Sequence, residues 1–171
     1  MSQNDAYVIP ADICRIKTEV AKSRFIATVA PAQTVEDAKS FIKQIRAEMP
    51  DASHHVYAFR VGFGNSVTEG MSDDGEPAGT AGPPILAILR GSEIGDIAIV
   101  VTRYFGGTKL GTGGLVRAYS EATHIALNTL NIKEKVKTIA VRLEVPYPLF
   151  ERVKRLIETY SGELDNEEFM V

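Results

Sequence analysis

Residues 100–119, VVTRYFGGTKLGTGGLVRAY, set five glycines, three cations (Arg103, Lys109, Arg117) and the aromatic pair Tyr104 and Phe105 between an apolar run and an apolar-periodic segment. Glycine lets backbone amides converge on an anion, and a helix N-terminus adds partial positive charge. Strand, glycine-rich loop and helix in that order therefore form the layout of an anion receptor. Gly106, Gly107, Lys109, Thr112 and Gly113 would form the nest, with Arg103 at its entrance and Arg117 on the first helical turn. Two nucleotide motifs fail here. Thr112 and Gly113 follow Gly111 where a phosphate loop needs lysine and a hydroxyl residue, and Val116 stands where a dinucleotide fingerprint needs its third glycine. A second reading stays open: the glycines serve close packing or positive φ, and Arg103 pairs with an acid from 73–76.

A second loop, MSDDGEPAGTAGPP at 71–84, is rich in turn formers and too long for a hairpin. With the loop at 103–117 it is expected to form one cleft for a phosphate-bearing ligand, so Asp73, Asp74 and Glu76 join Tyr104 and Phe105 among the expected binding residues. Under an enzymatic reading the same three carboxylates are the ones on offer as a general base. With His54 and His55 they suggest a divalent cation. Adjacent strand residues point to opposite faces, however, so the two imidazoles do not share an ion and no metal is expected. The chain has no Gly-x-Ser-x-Gly elbow, and Cys14 sits in an alternating strand without a neighbouring base. No cofactor is implied, and a binding role is favoured over an enzymatic one.

The elements that must position these residues are written in the periodicity. Residues 13–20 and 24–30 alternate around the turn AKS and predict a hairpin. Thr34 predicts an N-cap for a helix whose Ala38, Phe41, Ile42 and Ile45 share a face, ended by Pro50. Strands are expected at 55–62, near 66–70 and at 97–103, a short helix after Pro83 and Pro84, and an amphipathic helix from about 114. The helices starting near 34 and 114 are expected to cover mainly one face of a single sheet. The charged bridge NIKEKVK at 131–137 divides domains at 1–136 and 137–171. The second piece reads as strand 138–145 followed by a helix turning Leu149, Val153, Leu156, Ile157 and Tyr160 to a core.

The 171 residues are 44% hydrophobic and 24% charged, the composition of an ordinary globular protein. One cysteine excludes internal disulfides and fits a reducing compartment. The start lacks the pattern of a secretion signal and no run has membrane-span length, so the expectation is cytoplasmic, with no membrane partner. Net charge is −3, yet residues 82–142 carry 8 Lys/Arg against 4 Asp/Glu. A local basic surface on an acidic protein can still meet phosphate. Arg90, Arg103, Lys109 and Arg117 are the cations nearest the two loops in sequence.

The run GPPILAILRGSEIGDIAIVVTRYFGGTKLG, from Gly82 to Gly111, resembles the signature of the YigZ/IMPACT family, met here by Arg103, Tyr104, Phe105, Gly106, Gly107 and Gly111. KSRFIA at 22–27, HHVYAFRVG at 54–62 and SDDGEPAGTAG at 72–82 extend the resemblance over residues 10–130. It implies an α+β protein. The N-terminal α/β sandwich would have the superfold of a small-subunit ribosomal protein domain and the GHMP kinases, and the partial ferredoxin-like β-α-β unit would be similar to the last domain of elongation factor G. It also implies a role in translation or its regulation, with RNA or another nucleic acid, the ribosome, or a translation-factor-associated protein as partner. The alternative is a phosphate-ligand enzyme or nucleotide binder distantly like the GHMP kinases.

Overall fold

The hairpin forms where alternation places it, and its two strands start the main sheet. The computed structural model describes residues 6–136, 140–160 and 162–169. After a short strand β1 (Tyr7–Pro10), strands β2 (Cys14–Val20) and β3 (Ser23–Pro31) pair antiparallel about a turn in which Ala21 and Lys22 both take positive φ. Helix α1 (Val35–Glu48) begins with a complete capping box. Thr34 Oγ1 accepts from the Asp37 amide at 3.0 Å, and the Thr34 amide donates to the Asp37 carboxylate at 2.9 Å. Strands β4 (His54–Phe63) and β5 (Ser66–Ser72) form a second hairpin. Helix α2 (Gly82–Gly91), strand β6 (Ile97–Tyr104), helix α3 (Gly111–Thr129) and strand β7 (Ile132–Lys135) follow.

The five-stranded sheet runs β2-β3-β6-β4-β5, with every neighbouring pair antiparallel. Strand period divides its side chains between two cores. Phe25, Ala27, Val29, Val56, Ala58, Ile99 and Val101 pack on α2 and α3, while Ala30, Phe59, Ala98 and Val100 pack on α1. The helices expected on one face thus occupy both. The reason lies in β6, apolar at every position from 97 to 101, which is the pattern of a strand covered on both sides.

The charged bridge at 131–137 contains a strand. β7 pairs with β1 in a two-stranded sheet, and Asp96 pins both. Its carboxylate, in a residue 1% exposed and at φ +46°, accepts from the Tyr7 hydroxyl at 2.8 Å, the Gly62 amide at 2.8 Å and the Lys135 ammonium at 2.5 Å.

Thr138–Val171 form a separate unit. Residues 140–145 of the expected strand have no regular structure, and 138 and 139 lie outside the described residues. A lone strand has nothing to pair with and gains no ladder. Helix α4 (Phe150–Thr159) forms after a 3₁₀ turn at Tyr147–Leu149, but the face expected to meet a core stays open, with Leu149 and Leu156 exposed and Tyr160 82% exposed. The described residues of this unit include none that is buried and do not build a β-α-β unit. Among the described residues no helix is long and apolar enough to cross a membrane.

Candidate functional site

Antiparallel order brings four segments to one end of the sheet: the β2–β3 turn, the start of β4, the loop after β5 and the loop after β6. The register facing Arg24 with Tyr104 and His54 with Arg103 fixes this meeting.

Beneath the surface lies a buried polar cluster. Glu76, 8% exposed, accepts at Oε1 from Arg103 Nη1 and from the Tyr119 hydroxyl, each at 2.7 Å, and its Oε2 lies 3.8 Å from His54 Nε2. Arg103, 5% exposed, also donates from Nη2 to Ser23 Oγ at 3.4 Å. Its guanidinium lies 5.5 Å from the centroids of both Phe25 and Phe105. Burial, then the bond to Glu76, pushes the Tyr119 hydroxyl far above the usual tyrosine range, so it stays a donor.

The two aspartates shape the loop after β5. Asp73 accepts from the amides of Gly79, Ala81 and Gly82 at 2.8, 3.0 and 2.9 Å, tying the loop to the start of α2. Asp74 accepts from the His55 amide at 2.6 Å and pairs with Arg46. The histidines diverge as strand geometry requires. His54 Nδ1 lies 2.8 Å from the Asp74 carbonyl oxygen and His55 Nδ1 lies 3.2 Å from Thr102 Oγ1. Among the described residues no group of three His, Cys, Asp or Glu is arranged to hold a metal ion.

The loop after β6 is anchored by two serines: Ser53 Oγ accepts from the Phe105 amide and Ser23 Oγ from the Gly106 amide, each at 3.1 Å. A β-carbon at Gly106 would overlap the Lys22 carbonyl group and the Ser23 amide, so only glycine fits. Tyr104 donates to Asp51 at 3.1 Å and carries Arg24 over its ring at 4.6 Å. Phe105 is 50% exposed. Gly107 and Gly111 take φ of +89° and +71°.

These placements redistribute the residues expected to hold an anion. Arg103 faces inward in its ion pair with Glu76, while Arg90 stays exposed and shares Glu69 with Arg60, its Nε donating at 2.9 Å. Asp73, Asp74 and Glu76 each bond internal partners: the amides at the start of α2, Arg46 with the His55 amide, and Arg103 with Tyr119. Thr112 and Gly113 lie in the first turn of α3, which starts three residues earlier than expected; Arg117 falls in the second turn. Lys109, Thr112, Gly113 and Arg117 are all exposed. Lys22, also exposed, sets its backbone carbonyl against Gly106. No described carboxylate lies within ion-pair distance of Lys22, Lys109 or Arg117. Lys22 and Ser23 open the KSRFIA stretch, but only the pairing of β3 with β6 sets them beside the loop, and Ser53 and Tyr119 reach the loop and Glu76 respectively through long-range contacts with no local signal.

The acidic staples set a pH dependence. Burial would raise the carboxyls of Asp73, Asp74 and Asp96. It is outweighed by the three amides at Asp73, by Arg46 and the His55 amide at Asp74, and by Lys135, the Gly62 amide and Tyr7 at Asp96, so all three lie below the ordinary Asp range. Folded values below unfolded ones mean stability that is complete above the ordinary carboxylate pKa, near 4, and lost as pH falls through the depressed values. Burial, then the nearby Arg46 charge, also holds His55 below the ordinary histidine value, so stability starts to decline as pH falls below about 6.5. Thermal midpoints measured from pH 8 to pH 2 are expected to ease below about pH 6.5 and to fall more steeply below about pH 4. Asp73→Asn is expected to melt lower at neutral pH with a shallower acid decline; an equal acid decline would remove Asp73 from the account.

An antiparallel five-stranded sheet with helices on both faces, carrying a buried Arg–Glu–Tyr cluster beneath a serine-anchored glycine loop, makes this an α+β protein. The Impact N-terminal domain matches residues 21–127. The chain is 42% identical over 166 residues to the IMPACT family member YigZ of Escherichia coli K12, covering 96% of this chain and 81% of that one. It is 42% identical over 164 residues to an IMPACT family member of Haemophilus influenzae, covering 95% and 80%. A crystal structure of a hypothetical protein superposes with a TM-score of 0.76 at 39% identity, covering 98% of this chain and 82% of that one. The chain belongs to the IMPACT family.

Proposed function

We propose that this protein is a non-enzymatic binding module of the translation apparatus that takes RNA at the loop after β6. The observation that carries this reading is that the serine-anchored loop after β6 bears an exposed aromatic ring, with the exposed cations Lys109 in the loop, Arg117 in the next helix and Lys22 in the turn against Gly106, none with a carboxylate partner among the described residues. Phosphate needs unpaired cations and bases offer stacking faces. The tie to translation comes from the family resemblance. The rival reading, a nucleotide-binding enzyme, is weakened by the internal commitments of Asp73, Asp74 and Glu76.

Three cations engaging three phosphates of a single strand predict a log K against log salt slope of about −2, and Lys109→Ala is expected to flatten it by about 0.7. Fluorescence anisotropy with a labelled oligoribonucleotide reads both. Absence of binding at about 50 mM salt, where electrostatic association is strong, overturns the proposal.

A further inference from the structure

The cluster beneath the loop bears on which nucleic acid the loop takes. Phe105 has two faces in different circumstances: the Arg103 guanidinium lies on one, 5.5 Å from the ring centroid, and the residue is still half exposed. Arg103 is held in turn by Glu76, which Tyr119 also holds. The ring's own backbone is pinned on both sides, at Phe105 by Ser53 and at Gly106 by Ser23 and by the close approach of Lys22. An exposed aromatic fixed at so many points is presented, since ordering costs that normally oppose binding have already been met in folding. Its neighbour Tyr104 is differently placed, with its hydroxyl on Asp51 and Arg24 over its ring.

We infer that Phe105 is a stacking platform for one unpaired base, with Arg103 as its positioning residue, so that the loop prefers single-stranded over duplex nucleic acid. This rests on the nucleic-acid reading above and adds strandedness to it. A planar ring with an open face can receive only a base free of its own stack; in a duplex the bases are stacked and paired, and the protein meets mainly phosphate and sugar. Lys22 and Lys109 supply phosphate contacts to either form, while Phe105 distinguishes them.

The test compares a labelled oligouridylate with a duplex of equal length by anisotropy at fixed salt. The wild-type protein is expected to bind the single strand more tightly. Phe105→Ala is expected to weaken the single strand by about tenfold and leave the duplex unchanged, and Phe105→Trp to retain the preference. Lys22→Ala is expected to weaken both forms alike. Arg103→Lys, checked for folding by thermal melt, is expected to reduce the single-strand preference and leave duplex affinity in place. Equal loss on both forms in Phe105→Ala, or no loss on either, overturns the platform while leaving nucleic-acid binding intact. A wild-type protein that binds neither form overturns the underlying reading itself.

Discussion

Glu76→Ala is expected to lower the stability of the N-terminal domain by about 3–5 kcal/mol, the usual cost of breaking a buried ion pair from one side. The carboxylate is the shared acceptor for Arg103 and Tyr119, and its removal leaves two buried residues, Arg103 at 5% exposure and Tyr119 at 0%, without that partner. For a domain of this size the thermal midpoint should fall by roughly 10–20 °C. Glu76→Gln, which keeps an acceptor oxygen, should fall less. The double variant Glu76→Leu with Arg103→Met should recover much of the loss, because no charge then remains buried. Single and double variants melting at the sum of the separate losses would show that the two side chains act independently.

The second large effect is expected at Gly106. Alanine there would drive its β-carbon into the Lys22 carbonyl and the Ser23 amide, backbone atoms of the β2–β3 turn that cannot swing aside as a side chain would. Either the turn or the loop must move, at a cost of about 3 kcal/mol, the upper end of ordinary overpacking. The Gly106 amide would also draw away from Ser23 Oγ. Oligonucleotide affinity should drop together with the thermal midpoint, whereas Gly107→Ala, where the added atom meets open space, should suffer only from its φ of +89°. Equal midpoints for Gly106→Ala and wild type would mean that the turn and the loop are not in contact in solution.

Local signals read directly from the chain gave the first hairpin, α1 and the central strand, each of which carries its own cap, turn or apolar run. Thr34 announces α1 because its side chain has one use there. The start of α3 was hidden for the opposite reason. Gly111, Thr112, Gly113 and Gly114 are poor helix formers, and tertiary packing of Leu115, Ala118 and Tyr119 carries the helix back over them. Strand β7 leaves no local signal because Ile132–Lys135 has no apolar alternation; its pairing with β1 and the Lys135 bond to Asp96 are long-range. The pairing of Arg103 with an acid from 73–76 was visible as one of two options, and the choice needed the burial of Glu76. The cation Lys22 opens the KSRFIA stretch, yet nothing local in it points to the loop around Gly106 that its backbone touches.

Strand β6 has a consequence for the birth of the protein. It lies between β3 and β4, so neither of those strands has its inner neighbour until the chain reaches Tyr104. A polypeptide made from its N-terminus therefore emerges as two separate hairpins whose apolar inner edges, Phe25 to Val29 and Val56 to Phe59, wait unpaired. At about 5–20 residues per second, the stretch from Phe63 to Tyr104 takes roughly 2–8 s to synthesise. During that interval the two open edges are templates for each other and for neighbouring nascent chains, and a chaperone that shields extended apolar backbone would find its substrate there.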